Sequence, residues 1–176
     1  MKNLRSVFSL KIDFKFTSDE LQLIRDIFNK RKDKDIYKSD FKDIEIEYPH
    51  SSNLSQKLFN FAEKIQNYLH SNYSVETKVG NYGLRNVNGR VVPPEGHIHL
   101  IDDVYFTSIT TIYGDGPWYE FGGKRYTSKE GETTFFAERM PVEKFPNLNL
   151  KQVLHGSPQG SKERLIFLCS FLPLNS

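Results

Sequence analysis

The stretch EGHIHLIDD, residues 95–103, sets His97, His99, Asp102 and Asp103 within seven positions of a chain that has only five histidines. Side chains alternate along a strand, so His97 and His99 leave one face roughly 6.5–7 Å apart along the backbone. On a straight strand Asp103 shares that face and Asp102 does not. A bulge or turn at Leu100-Ile101-Asp102 reverses the choice. Imidazoles and a carboxylate converging from a rigid sheet suit a borderline divalent ion such as Fe(II), Mn(II) or Zn(II). A plainer reading competes, because His-x-His with an acid nearby also fits an ordinary exposed strand.

His155 strengthens the metal reading. It closes a strand-like segment, KQVLH, is followed by Gly156-Ser157-Pro158, and stands 58 residues after His97. Arg164 follows at the head of ERLIFLCSF. By parity Arg164 shares a face with Ile166, Leu168 and Ser170, while Leu165, Phe167, Cys169 and Phe171 take the other. Both faces are apolar. The guanidinium therefore either enters an enclosed space, where it needs an anionic partner, or lies at a strand end in water beside Glu163. Trp118, Tyr119 and Phe121, just after a glycine-rich turn, suit a substrate entrance or simple hairpin packing. Arg85 and Arg90 are candidates for holding an anionic substrate.

The elements that must position these residues show in the hydrophobic pattern. FSLKIDFKF (8–16) alternates strictly, with Phe8, Leu10, Ile12, Phe14 and Phe16 on one face, which predicts a half-buried strand. Thr17 and Glu20 have capping-box spacing, and Leu21, Ile24, Ile27 and Phe28 continue at helical intervals until the charge run KRKDKD (30–35). LSQKLFNFAEKIQNYL (54–69) carries a second helical stripe: Leu58, Phe61, Ala62, Ile65 and Leu69. From about residue 75 the period changes to that of short strands. Asn88-Gly89 suits a type I′ hairpin. VYFTSITTIY (104–113) ends at the breaker Gly114-Asp115-Gly116-Pro117. WYEF and KRY flank Gly122-Gly123 as a second hairpin, and ETTFF, KQVLH and ERLIFLCSFL complete the series. Two helices followed by about seven strands predict a sandwich or jelly-roll barrel with helices packed outside.

Composition narrows the classes. The chain has 176 residues, 38% hydrophobic and 14% aromatic, enough for one domain with a real core. A net charge of +2 gives no electrostatic footprint for nucleic acid. The single cysteine, Cys169, excludes an internal disulfide and a Cys-based zinc site. No apolar run suits a signal peptide or membrane span, so a cytoplasmic protein without membrane or nucleic-acid partners is the expectation.

The order His97-x-His99, FTSITTIY, glycine-rich turn, KEGETTFF and VLHGSPQGSKERLIFLCSF resembles the Fe(II)- and 2-oxoglutarate-dependent oxygenases, in their prolyl-hydroxylase-like branch. The similarity spans about residues 80–172. It implies a double-stranded β-helix with N-terminal support helices, divided here as 1–74 (strand and helices) and 75–176 (jelly-roll core) of one domain, 1–176. In that family a His-x-Asp/Glu pair and a distant histidine hold iron, and a basic residue beyond the distant histidine receives the far carboxylate of 2-oxoglutarate. Carried over, His155 is the distant ligand and Arg164 the co-substrate arginine. The implied activity is oxidation of a small-molecule or peptide substrate, with Fe(II) and 2-oxoglutarate as cofactors. Trp118, Tyr119 and Arg85 are the candidate substrate contacts.

The chain departs from the family at the first motif, where His97-x-His99 replaces His-x-Asp. Either His99 pairs with Asp102 or Asp103 across an enlarged turn, or His97 and His99 both ligate with an aspartate added. The second arrangement (His97, His99, Asp103, His155) is similar to the cupins, which implies another divalent metal such as Mn or Zn and no 2-oxoglutarate. The interval from Gly131 to His155 is longer than a cupin usually has, and HGSP with Arg164 favours the oxygenase. A non-catalytic β-helix binding module is the remaining alternative.

Overall fold

The alternation near the N-terminus becomes strand β1 (Ser9–Lys15), and the chain enters helix α1 (Ser18–Arg31) through the expected cap. Thr17 N donates to Glu20 Oε2 at 2.8 Å, and Glu20 N donates to Thr17 Oγ1 at 3.3 Å. Helix α1 ends where the charge run begins. This computed structural model describes residues 9–31, 42–46, 53–73, 76–87, 106–121, 124–137, 155–156 and 164–174. Strand β2 (Lys42–Ile46) is not legible in the hydrophobic pattern, because five residues with two isoleucines give too short a period among charged neighbours. Helix α2 (Asn53–Tyr73) runs four residues past the expected end, since His70-Ser71-Asn72-Tyr73 contains no breaker.

The second half is all strand among the described residues: β3 (Thr77–Val87), β4 (Phe106–Tyr113), β5 (Trp118–Phe121), β6 (Lys124–Thr127), β7 (Glu132–Ala137), β8 (His155–Gly156) and β9 (Arg164–Pro173). The Asn88-Gly89 hairpin falls outside the described residues, whereas the β5–β6 hairpin forms with Trp118 opposite Thr127 and Phe121 opposite Lys124. Six strands make one sheet in the order β1-β7-β4-β9-β3-β2, and three make another in the order β6-β5-β8. All pairs are antiparallel. The first 74 residues thus supply two helices and both outer strands of the larger sheet.

The two faces of the larger sheet are covered differently. Leu84, Ile112, Phe135, Leu165, Phe167, Cys169 and Phe171 form one core with Ile24, Ile27 and Phe28 of α1 and Leu58, Ile65 and Leu69 of α2. Both helices therefore brace the sheet from outside, as their apolar stripes require. Arg25 of α1 reaches across to donate to the carbonyl of Ile112 at 2.7 Å and to Glu130 Oε1 at 2.5 Å. On the other face Ile109 and Ile166, with Leu168 partly buried beside them, meet Tyr119 from the smaller sheet. Arg164 and Tyr119 lie on the space between the sheets. The fold is mainly β, a double-stranded β-helix with support helices.

Candidate functional site

Strand β9 decides the site, because its alternation sends odd residues to the helices and even ones between the sheets. Arg164 heads the even set. It is enclosed, with 2% of its surface exposed, so the strand-end reading beside Glu163 does not hold for its side chain. Burial and the nearby positive charge of Arg85 push the Arg164 guanidinium down to about 10, while Asp115 pulls the other way. It remains a cation at neutral pH. A charge so enclosed is costly unless an anion can reach it.

The surroundings of Arg164 follow from the ladders. Val87 stands opposite Arg164 and Arg85 opposite Ile166 across β3–β9. Thr111 stands opposite Ile166 across β4–β9. Arg85, Thr111, Arg164 and Ile166 therefore share the face that meets the smaller sheet. Thr111 is fully buried, and its Oγ1 has no hydrogen-bond partner among the described residues. Further along this face Thr134 is buried, and its hydroxyl hydrogen-bonds with that of buried Ser128, which follows β6. Gly116 is required here: a Cβ on it would lie 2.0 Å from Thr111 Oγ1 and 2.9 Å from Ser128 Cβ.

The smaller sheet brings in the histidine strand. Tyr119 stands opposite His155, and Trp118 opposite Gly156. Tyr119 packs on Ile109 and Ile166, and its ring stacks on Tyr126 at 5.4 Å between centroids. Trp118, on the other face of β5, is equally buried. Its indole lies 3.8 Å beneath the Arg125 guanidinium carbon, and a Cβ on Gly156 would come within 2.8 Å of it. Trp118 thus fits the hairpin-packing reading, while Tyr119 belongs to the inter-sheet space.

Of the expected site, Arg164, Arg85 and Tyr119 lie on the enclosed space, and the His155 backbone is held in the β5–β8 ladder beside it. His97, His99, Asp102, Asp103 and Arg90 lie outside the described residues, and the described residues contain no cluster of three metal-ligating side chains. Thr111 and Asp115 were not singled out from sequence. Thr111 is one hydroxyl in a threonine-rich strand, and Asp115 belongs to a glycine-rich turn.

No protein-family model matches the chain, and no curated protein matches it in sequence. Solved structures do. A viral collagen prolyl hydroxylase from Paramecium bursaria Chlorella virus-1, a 2-oxoglutarate complex, superposes with a TM-score of 0.64 at 16% identity over 96% of this chain and 98% of that one. A Pseudomonas putida prolyl-4-hydroxylase gives 0.66 at 11% identity over 97% and 95%. HygX from Streptomyces hygroscopicus, with nickel and 2-oxoglutarate bound, gives 0.65 at 10% over 94% and 82%. The fold is the one these 2-oxoglutarate-dependent oxygenases share. At such identities the likeness is one of fold.

Proposed function

We propose that the chain is a non-haem iron, 2-oxoglutarate-dependent oxygenase acting on a small-molecule or peptide substrate. The carrying observation is Arg164, a cation enclosed between the sheets on the face that also holds the unsatisfied Thr111 hydroxyl. A buried guanidinium beside a buried donor fits the distal carboxylate of a dicarboxylic 2-oxo acid, through a charge-assisted and geometrically selective contact. The neighbours named as 2-oxoglutarate complexes support the same assignment. Near-complete coverage of two prolyl hydroxylases supports a single catalytic domain.

In this reading His155 and His99 would hold the metal with Asp102 or Asp103 as the carboxylate, whereas the set His97, His99, Asp103 and His155 belongs to the cupin-like alternative. The first donor set suits Fe(II) by ligand type. Iron with a bound 2-oxo acid supplies the oxidising power for an unactivated C–H bond, and the protein contributes binding, orientation and exclusion of water. Arg164 orients the co-substrate by its far end. Ile109, Ile166 and Tyr119 keep the space between the sheets dry. His97-x-His99, where the family has His-x-Asp, favours a second reading, a three-histidine metal enzyme that does not use 2-oxoglutarate.

Succinate formation separates the two. The full chain with Fe(II), ascorbate and 2-oxoglutarate should release succinate slowly even without its substrate, and His155→Ala should lose both this release and bound metal. Metal bound at His155 with no succinate formed would favour the three-histidine reading. Unchanged metal content in His155→Ala would remove His155 from the site.

A further inference from the structure

We propose that Arg85 is a second carboxylate-binding residue, which with Arg164 forms a two-guanidinium seat for the distal carboxylate of the 2-oxo acid. This inference rests on the co-substrate reading above and adds a specificity-determining residue to it. Arg85 lies on β3 opposite Ile166, two positions from Val87, the partner of Arg164. The two arginines are therefore diagonal neighbours on one face, about 7–8 Å apart at the backbone, a separation that two long side chains close readily. One carboxylate between them can accept from both.

Electrostatics points the same way. Burial disfavours the charge of Arg164 most, and the charge of Arg85 adds to the cost. Asp115 offsets part of this from the turn after β4, where it is exposed. Two like charges on neighbouring strands of one face repel each other. An anion seated between them gains from both and removes their repulsion. The competing role for Arg85 is structural, because Asp43 of β2 stands opposite it in the β2–β3 ladder.

The test is calorimetric titration of the full chain loaded with Mn(II), using 2-oxoglutarate and 2-oxopentanoate, which lacks the distal carboxylate. Wild type, Arg85→Met, Arg85→Lys and Asp43→Asn are compared, with thermal unfolding of each. Arg85→Met should weaken 2-oxoglutarate binding roughly tenfold to a hundredfold, the range for a hydrogen bond to a charged group. Its affinity for 2-oxopentanoate should not change. Arg85→Lys should recover part of the loss, and Asp43→Asn should leave 2-oxoglutarate affinity intact. Equal binding of 2-oxoglutarate by wild type and Arg85→Met would overturn the proposal, as would parallel losses in Arg85→Met and Asp43→Asn. If Arg85→Met does not fold, Arg85→Lys decides: a loss confined to 2-oxoglutarate supports the seat, and unchanged affinity overturns it. No binding of either acid by wild type would overturn the co-substrate reading itself, and the seat with it.

Discussion

Arg164 is enclosed at the head of β9, opposite Val87 of β3, where its charge is desolvated. The cost has a definite sign. The unfolded guanidinium keeps its proton up to its ordinary, higher value, while the folded one gives it up near 10. Between those values the unfolded chain binds more protons, so stability rises with pH; below about 10 the penalty is constant. Cys169 gives the opposite case: fully buried on the helix side, its thiol is pushed up by burial and stays protonated. Iodoacetamide near neutral pH should leave it unlabelled by mass spectrometry until the protein is unfolded. The parity of β9 was legible in ERLIFLCSF, so the partners of Arg164 on its own strand followed from sequence. Which face was enclosed did not follow, because that depends on Tyr119 arriving from another sheet.

At the scale of elements, local signals were the readable ones. The Thr17–Glu20 box forms as spaced, and Thr17→Ala should cost about 1 kcal/mol in urea unfolding. Burial raises the Glu20 carboxyl, but Lys64 and Thr17 favour its charged form more, so it lies below its ordinary 4.5. Its stabilisation is accordingly present above that value and lost as pH falls through the lowered one. The alternation of β1 and the stripes of both helices were legible because each is periodic within a single element. Strand β2 was not, since its pairing with β3 is made across the sheet. Gly156 illustrates the same limit: HGSP marks a turn, but only the β5–β8 pairing puts Gly156 against Trp118. Gly156→Ala should displace the indole. Trp118 is the only tryptophan, so its fluorescence emission should shift to the red, and an unchanged spectrum would contradict this packing.

For the whole molecule, the switch from helical to strand period near residue 75 announced a β architecture braced by helices. The strand order β1-β7-β4-β9-β3-β2 could not be read, because strands adjacent in space are far apart in sequence. That order is what sets Arg85 and Thr111 on either side of Ile166 and encloses Arg164 with them. No described helix is long and apolar enough to cross a membrane. We propose that this enclosed cation anchors a 2-oxo acid, and its replacement tests that anchor. 2-Oxoglutarate is titrated calorimetrically into metal-loaded wild type and Arg164→Met, the methionine keeping the apolar stem. Wild type should bind, and the variant should lose about 2–5 kcal/mol of binding free energy, the cost of breaking a buried charge pair. Equal affinity in the two proteins, or none in the wild type, would contradict the claim.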